Sequence, residues 1–356
     1  MATRRFDAPD DASLNTFYDD IADKDLQPLW ELSGLLTPAP KVQAVPYRWR
    51  GEELRELGKR AGELVPIDRG GDRRVLSLSN PGLGGAPYAT ATLWGAVQYL
   101  GPGETAPAHR HTPAALRFVL DGEGVWTLVN GDPLHMSAGD LILTPSWTWH
   151  EHHNPGDTPM TWFDALDLPL VEALDAMFFE PGEGRPAPSG TAERSTSEIR
   201  FGGGPGLLPG GASAPAPAHS PLLRYQWADT DRALAGQLAE AGTGAERTGH
   251  AHVRFADPTN GRDVMPTMRC EMHRYLPGHT APAERHTGSA LVAVFRGAGA
   301  VELDGVLHSL APGDLVAIPS WTSVRVFADE PMDLFSVSDT PVLEALALYR
   351  TETRGD

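Results

Sequence analysis

Three histidines in this sequence, His109, His111 and His150, have the spacing of ligands to one metal ion. His109 and His111 lie two residues apart in a segment predicted to be extended, so both imidazoles point to the same face of a strand. His150 follows a turn, a short apolar strand and a second turn, and in a barrel that strand can lie beside the first. Three neutral imidazoles on one face leave half of an octahedral shell free, where a redox-active metal can hold a substrate and dioxygen together. Because no cysteine is near them, a closed structural zinc site is disfavoured.

Polar side chains near these histidines predict a pocket that binds an anion. Arg117 comes six residues after the second histidine, so on a continuous strand it shares that face and can hold a carboxylate. His152 shares the face of His150 if that segment is extended, and we expect it to hydrogen-bond a substrate oxygen or dioxygen, with His153 as the alternative inward residue. Asp164 is expected to orient a metal ligand or an arginine, with a turn or a simple ion pair as the alternative.

The composition is that of a globular protein with little capacity to bind polyanions. The chain has 356 residues, which predicts about two domains, and 41% of them are hydrophobic and 21% charged. Its net charge of −18 opposes binding to nucleic acid or to an anionic membrane surface. The sequence contains no readable signal peptide and no run of about 20 apolar residues. Its one cysteine, Cys270, cannot form an internal disulfide, so we expect a cytoplasmic protein.

The pattern of apolar residues, Gly and Pro predicts short helices followed by many strands. Helical spacing over residues 11–36 is interrupted at Pro28, and residues 51–64 form an amphipathic pattern. From Arg73 onward, short runs rich in β-branched and aromatic residues are bounded by Gly, Pro or Asp, as in a barrel or sandwich. Residues 181–222 are rich in Gly, Pro, Ser and Ala, which is typical of a linker. The predicted organisation is an N-terminal helical segment at 1–70, a β domain at 71–180, the linker at 181–222 and a second β domain at 223–356.

The second half of the chain repeats the first. GETAPAHRHTPAALRFVL at 103–120 matches GHTAPAERHTGSALVAVF at 278–295, and AGDLILTPSWTWH at 138–150 matches PGDLVAIPSWTSV at 312–324. Two separate matches in the same order indicate a duplication. We therefore predict an all-β fold of two homologous barrels in tandem.

Comparison of the two copies of the repeat distinguishes candidate functional residues, most of which differ, from structural residues, which are the same. At the positions of the three histidines and the arginine, the second copy has Glu284, His286, Val324 and Val292. The turn residues of the two copies, including Gly, Asp, Pro and Trp, are the same. We therefore predict that the second domain is structural, with a metal site formed by Glu284, His286 and a third ligand as the alternative.

The two histidine motifs resemble the signature motifs of the cupin superfamily. The matching positions are Gly103, His109, His111, Gly139, Pro145, His150 and Asn154. A cupin usually has a glutamate shortly after the second histidine, whereas this chain has Ala114, Ala115 and Leu116 there. The chain shares this departure with the gentisate 1,2-dioxygenase family, which includes salicylate and 1-hydroxy-2-naphthoate dioxygenases. The resemblance to this family is carried by the segments PAHRHTPAALRFVL and ILTPSWTWHEHHN. The resemblance extends over most of the chain, including LQPLWE and RRVLSLSNPGL.

The resemblance implies a bicupin, with two double-stranded β-helix barrels, N-terminal helices and assembly into a homotetramer. It implies that the three histidines bind iron(II) and that the substrate, an aromatic carboxylate with an ortho hydroxyl, chelates this iron. The ring then opens between the carboxyl-bearing and the hydroxyl-bearing carbons. Arg73, Trp94 and Gln98 look similar to positions that line the pocket in the family, although Trp94 can equally belong to the core.

The predicted reaction is therefore cleavage of gentisate to maleylpyruvate with insertion of both atoms of O2. Salicylate, a substituted salicylate or 1-hydroxy-2-naphthoate is the alternative substrate, because the shape of the pocket decides among them. A non-catalytic cupin that senses a small molecule is a second alternative, which the intact first site and the lack of a DNA-binding segment disfavour. Another iron or manganese cupin enzyme, such as an oxalate decarboxylase or a sugar isomerase, is a third, and the missing glutamate disfavours it.

Overall fold

The computed structural model describes residues 12–65, 74–182, 194–204, 207–210, 217–240, 242, 244–279 and 281–354. The chain divides into one unit of residues 1–41 and a second of residues 42–356.

The unit of residues 1–41 contains a helix, α1 (Ala12–Ala22), and a short 3-10 helix (Leu29–Glu31). The apolar spacing predicted a helix across 11–36 with a break at Pro28, but α1 ends earlier than that. Asp25 adopts a left-handed conformation with φ 56°, which closes the end of the helix before the proline is reached.

The unit of residues 42–356 contains a few short helices among its strands. They are α2 (Gly51–Leu64), a 3-10 helix (Pro81–Leu83), α3 (Leu168–Ala173), α4 (Thr196–Phe201), α5 (Trp227–Ala239), α6 (Ala245–Thr248) and α7 (Thr340–Ala345). None of the helices in the described part of the chain is both long enough and apolar enough to span a membrane.

The strands follow one another closely in both halves of this unit. In the first half they are β1 (Tyr47–Trp49), β2 (Val75–Ser77), β3 (Trp94–Leu100), β4 (Thr105–His111), β5 (Ala115–Asp121), β6 (Glu123–Val129), β7 (Asp132–Ser137), β8 (Leu141–Thr144), β9 (His150–His153), β10 (Met160–Leu166) and β11 (Phe179–Pro181). In the second half they are β12 (Arg224–Tyr225), β13 (His250–Arg254), β14 (Arg269–Tyr275), β15 (Ala283–His286), β16 (Ala290–Arg296), β17 (Gly299–Leu303), β18 (Val306–Leu310), β19 (Leu315–Ile318), β20 (Val324–Ala328), β21 (Met332–Ser338) and β22 (Thr351–Arg354).

Each barrel consists of one six-stranded and one five-stranded antiparallel sheet. The first barrel has the strand orders β12-β8-β5-β10-β3-β2 and β11-β4-β9-β6-β7. The second has the orders β1-β19-β16-β21-β14-β13 and β18-β17-β20-β15-β22. The predicted all-β fold of two tandem double-stranded β-helix barrels is confirmed.

Each barrel also takes one strand from a part of the chain that was assigned elsewhere. β1, from the predicted N-terminal segment, pairs with β19 of the second barrel, and β12, just after the predicted linker, pairs with β8 of the first. In each barrel, an aspartate at the corresponding position of the sequence repeat anchors the chain next to the added strand. Asp314 accepts a hydrogen bond from the Gly51 N–H at 2.8 Å, and Asp140 forms an ion pair with Arg224 at 2.8 Å.

Successive side chains of a strand point to opposite faces of its sheet. In the six-stranded sheets, one face lines the barrel interior and the other packs in a core shared by the two barrels. On β10, Trp162 packs in the interior of the first barrel, and Asp164 is on the same face of the strand. Phe163, between them, belongs to the shared core. There Phe118 of the first barrel stacks on Phe335 of the second, with ring centroids 4.3 Å apart.

Two aspartates form hydrogen bonds between the barrels at matching positions. Asp167 accepts from the Ala114 N–H, just before β5, at 2.8 Å and from the Thr267 hydroxyl at 2.5 Å. Its counterpart Asp339 accepts from a main-chain N–H just before β16 and from the Thr92 hydroxyl at 2.5 Å. Burial raises the pKa of both carboxyls, and these hydrogen bonds partly offset that rise. Each barrel therefore supplies one threonine that fixes an aspartate of the other.

Candidate metal centre

Two neighbouring strands of the five-stranded sheet bring three imidazoles together in the first barrel. His109 and His111 lie on β4, and His150 begins β9 directly opposite His109. The ring centroids are 4.3 Å apart for His109 and His150, 4.9 Å for His111 and His150, and 5.6 Å for His109 and His111. One nitrogen atom from each ring lies within 4.8 Å of the other two. Among the described residues, this is the one group of three or more His, Cys, Asp or Glu side chains with such a geometry.

Main-chain carbonyls fix the orientation of all three rings. In chain order, the Nδ1 atoms lie 2.9, 2.7 and 3.0 Å from the carbonyl oxygens of Pro107, Pro113 and Thr148, each two residues away in sequence. A carbonyl oxygen only accepts hydrogen bonds, so each Nδ1 carries the proton and each Nε2 keeps its lone pair. The tautomers are thus those of metal-ligating histidines with a hydrogen-bonded second nitrogen.

Burial keeps these imidazoles neutral and ready to bind a cation. Desolvation lowers the pKa of His111 to about 4 and lowers the pKa of His150 well below its usual value. The Nε2 atom of His150 is buried and has no hydrogen-bond partner among the described residues, so a metal ion there would satisfy it. Neutral nitrogen donors without thiolates suit a divalent first-row transition metal with open positions. The residues present therefore fit a metal ion.

Arg117 enters the interior of the barrel by a different route from the one that its spacing predicted. We expected His111 and Arg117 to share one continuous strand, and this expectation was wrong. β4 ends at His111, and β5 begins at Ala115 in the other sheet of the barrel. Pro113 lies in the gap and has no N–H to continue a ladder, which favours the break. Arg117 is nevertheless buried near the imidazoles, and its charge contributes to the low pKa of His111 and His150.

A buried ion pair holds the Arg117 guanidinium inside the barrel. Its Nε lies 3.5 Å from Asp164 Oδ1, and its Nη1–H donates to the Thr144 hydroxyl at 2.7 Å. Trp162 Nε1–H donates to the same oxygen of Asp164 at 3.1 Å. Burial raises the pKa of Asp164 to about 6, and Arg117 lowers it. The ionised carboxylate therefore predominates at pH 7, and it contacts an arginine rather than one of the three histidines.

His152 shares the inward face of β9 with His150, which begins the strand. Its Nδ1 lies 2.8 Å from Thr127 Oγ1, and the Thr127 hydroxyl donates to Met136 Sδ at 3.1 Å. With the hydroxyl proton directed to sulfur, the His152 Nδ1–H is the donor to Thr127, and Nε2 is left as an acceptor. Burial lowers the pKa of His152 well below its usual value, so the ring is neutral. His153 lies on the opposite face, where it contacts Glu151 at 3.3 Å.

The other residues expected to line the pocket lie on β3 or outside the described part of the chain. Ala96 of β3 stands opposite Asp164 in the ladder, so alternation puts Trp94 and Gln98 on the same face as this carboxylate. Gln98 is buried and Trp94 is partly buried. The role of Trp94 as an aromatic wall stays a prediction. Arg73 lies outside the described residues.

The sequence reasoning missed the partners that hold the site in place. They are Thr127, Thr144 and Trp162, together with the carbonyls of Pro107, Pro113 and Thr148. Trp162 comes two residues before Asp164, so alternation on that strand was a signal for it. The carbonyl partners also lie two residues from their histidines, but only the backbone conformation shows that these oxygens turn toward the rings.

The second barrel repeats the register of the site but keeps one of the three histidines, with His286 at the position of His111. Glu284 stands opposite Val324 between β15 and β20, as His109 stands opposite His150. The positions aligned from the sequence repeat therefore coincide in the fold.

Comparisons with known proteins agree with this architecture. A family model described as cupin domain matches residues 96–166 and 271–338. The chain is 50% identical to a gentisate 1,2-dioxygenase from Streptomyces sp, over 96% of each chain. It is 34% identical to a 5-aminosalicylate 1,2-dioxygenase from Comamonas sp, over 97% of this chain and 92% of that one. A crystal structure of salicylate 1,2-dioxygenase from Pseudoaminobacter salicylatoxidans with gentisate adducts matches with a TM-score of 0.92 and 43% identity, over 100% of this chain and 98% of that one.

Proposed function

Since the chain belongs to the gentisate 1,2-dioxygenase family of ring-cleaving bicupin enzymes, we propose that it binds iron(II) and converts gentisate and O2 to maleylpyruvate. The observation that carries the proposal is the position of the three-histidine face in the same barrel interior as a buried arginine. In this reaction the ring bond between the carboxyl-bearing and hydroxyl-bearing carbons breaks. Both oxygen atoms enter the product, so no external reductant is needed.

In the first barrel, one residue binds the substrate through its charge and another through a hydrogen bond. Arg117 binds the substrate carboxylate, because its buried charge attracts an anion into a protein of net charge −18. Asp164 and Trp162 keep the guanidinium in position. His152 accepts a hydrogen bond from a substrate hydroxyl at Nε2, since its Nδ1–H is engaged by Thr127.

The three imidazole nitrogens of His109, His111 and His150 support iron(II) as the bound metal. Iron(II), when bound, supplies the redox-active centre through which electrons pass between the aromatic ring and dioxygen. The missing cupin glutamate keeps the set free of carboxylate, in contrast to manganese cupins. Burial of His150 and the low pKa of His111 keep the donors deprotonated at Nε2 over the physiological pH range.

Salicylate, a substituted salicylate or 1-hydroxy-2-naphthoate is the second candidate substrate. The likeness to salicylate 1,2-dioxygenase and to 5-aminosalicylate 1,2-dioxygenase favours this class. Gentisate differs from salicylate by a second hydroxyl para to the first, which makes its ring easier to oxidise. An enzyme for plain salicylate must work without that hydroxyl.

Oxygen uptake by the iron-loaded protein tests the proposal. The protein is reconstituted anaerobically with iron(II) and then given gentisate, salicylate or 1-hydroxy-2-naphthoate in air-saturated buffer. We expect one O2 consumed per gentisate, a new near-ultraviolet product band, and loss of activity in His111→Ala but not in His308→Ala, a matched change on β18 of the second barrel. Uptake with gentisate no faster than with salicylate would reject the substrate. No uptake with any of the three acids by a protein shown to hold iron would reject the reaction.

We also propose that the enzyme works in the cytoplasm as a homotetramer in the breakdown of aromatic compounds. The family resemblance and the single buried thiol, Cys270, support this. We propose domain boundaries at 71–180 and 223–356, each barrel being completed by the strand it takes from outside them. Native mass spectrometry measures the assembly, and a mass of one or two chains would reject the tetramer.

A further inference from the structure

The second barrel encloses a cavity of about 430 Å³ that the proposed reaction does not use. Its walls are largely aliphatic and come from both sheets of this barrel. They include Val292, Val316 and Leu334 on the six-stranded sheet and Val301 and Val326 on the five-stranded sheet. A concave, mostly apolar space of this size is typical of a site for a small organic molecule.

Three polar groups that line the cavity have no partner within the described residues. The Tyr275 side chain is only 9% exposed, and its hydroxyl makes no hydrogen bond there. Glu271 and Glu284 also line the cavity and form neither a hydrogen bond nor an ion pair with the described residues. The charges of both carboxylates add to burial in raising the pKa of the Tyr275 hydroxyl. Buried polar groups normally have hydrogen-bond partners, so the buried Tyr275 hydroxyl and the partly buried Glu271 carboxylate call for a ligand that donates hydrogen bonds. The exposed Glu284 carboxylate adds a second negative charge to the cavity wall.

The other polar groups around the cavity do not reverse this negative charge. Burial lowers the pKa of His250 to about 4 and that of His273 to about 3, so both rings are neutral at pH 7. They share a hydrogen bond of 3.1 Å, and the His250 ring stacks on Tyr275 with centroids 4.3 Å apart. Arg325 is the one arginine or lysine among the lining residues, against the two glutamates.

We propose that the second barrel binds an organic ammonium ion with an apolar body. The ammonium group donates hydrogen bonds to Glu271, Glu284 and the Tyr275 oxygen. The apolar body packs against the valines and leucine of the walls. A carboxylate ligand of the kind proposed for the first barrel is repelled by the two glutamates.

The duplication supports this assignment, because two positions change charge between the barrels. Where the first barrel has Arg117, the second has Val292, which removes the group that binds an anion. Where the first barrel has His109, the second has Glu284, in the same register position. The barrel shape is kept while the preferred charge of the ligand is inverted.

Calorimetric titration of the full-length, iron-loaded protein under anaerobic conditions tests the proposal with three probes of one shape. The probes are phenethylammonium, the neutral 2-phenylethanol and the anionic phenylacetate. We expect one phenethylammonium per chain, with 2-phenylethanol bound at least about tenfold more weakly, since a charged hydrogen bond is lost. Equal affinity for the ammonium ion and the alcohol, or no binding of the ammonium ion, would overturn the proposal.

Matched variants locate the bound ammonium ion. Glu271→Gln and Glu284→Gln should each weaken phenethylammonium about tenfold while leaving 2-phenylethanol unchanged. Glu330→Gln removes one exposed carboxylate of the same half of the chain and should have no effect. Val316→Phe narrows the cavity and should weaken binding of both probes while the thermal transition shows a folded protein. Ammonium binding that survives Glu271→Gln, Glu284→Gln and Val316→Phe unchanged would place the ion elsewhere and reject this site. Because none of these readouts uses oxygen consumption, failure here is distinct from failure of the dioxygenase proposal.

Discussion

Replacing Thr267 by valine removes a hydrogen bond between the barrels without changing the size of the side chain. The Thr267 hydroxyl donates to Asp167 at 2.5 Å, and the other oxygen of Asp167 holds the Ala114 N–H at 2.8 Å. The residue before Ala114 is Pro113, whose carbonyl accepts the Nδ1–H of His111 at 2.7 Å. The second barrel thus helps to fix the carbonyl that orients His111 of the first.

The size of the effect follows from these contacts. A hydrogen bond to a charged acceptor contributes about 1.5–3 kcal/mol, so Thr267→Val should lower the free energy of unfolding of the metal-free protein by about 2 kcal/mol. Loss of a group that directly orients a metal ligand typically weakens metal binding about 10–100-fold. Because Thr267 acts through Asp167 and the turn at Pro113, we expect the lower end of this range, about tenfold.

The matching threonine provides the control. Thr92 is also partly buried and donates to Asp339 at 2.5 Å, but the turn fixed by Asp339 lies in the second barrel. Thr92→Val should therefore lower the free energy of unfolding by a similar amount and change the metal affinity by less than about twofold. Thr267→Ser keeps the hydroxyl and should restore the affinity.

Two measurements decide the matter. Urea unfolding of the metal-free variants gives their stability, and competition with a chelator gives the dissociation constant for iron(II). If Thr267→Val and Thr92→Val weaken metal binding equally, the loss reflects general destabilisation, and the proposed path from Thr267 to His111 is refuted. An unchanged affinity in Thr267→Val, at the expected loss of stability, refutes it as well.

Three further perturbations test the first-barrel site. Arg117→Lys keeps the charge but loses the planar fork, so the KM for gentisate should rise about tenfold while the iron content stays the same; an unchanged KM would remove Arg117 from the substrate site. The folded state depresses the pKa of His111 from 6.5 to about 4, so its contribution to stability is present above pH 6.5 and lost as pH falls toward 4. Urea unfolding of metal-free His111→Gln should show a pH dependence smaller by about 3 kcal/mol over that interval, and an unaltered slope would contradict the assigned cause. Trp162→Phe removes a donor from Asp164 and should raise the pKa of this carboxyl above its value of about 6, which moves the acid limb of the kcat/KM profile to higher pH; an unmoved limb would mean that Asp164 does not control it.

The grouping of the three histidines and the fold were accessible from the sequence because both depend on local periodicity and on repetition. His109 and His111 share a face through the period of two of a strand. In a barrel the strand of His150 was expected to lie beside theirs, and the ladder pairs His150 with His109. The duplication also identified Glu284 and Val324 as the corresponding pair, and the ladder puts them opposite each other.

The way Arg117 enters the site was not accessible, because it depends on where a strand stops. A break of three residues around Pro113 moves Arg117 to the opposite sheet, yet its charge still lowers the pKa of His111 and His150. The carbonyls that fix the rings and the Trp162–Asp164–Arg117 network depend on three-dimensional register rather than on residue type. Asp164 itself was recognised, but its two possible roles could be separated only by the ion pair at 3.5 Å.

The exchange of β1 and β12 between the barrels sets an order of events during synthesis. β12 follows the first barrel closely in the chain, so this barrel can close soon after residue 225 has emerged. The anchor of β1 joins Gly51 to Asp314 across 263 residues, so the N-terminal strand has no partner until nearly the whole chain is made. Such non-local pairing slows folding and leaves an open sheet edge on the newly made second barrel. Cutting the gene at the linker would therefore yield two incomplete barrels, and the completion of the second barrel depends on the first residues to leave the ribosome.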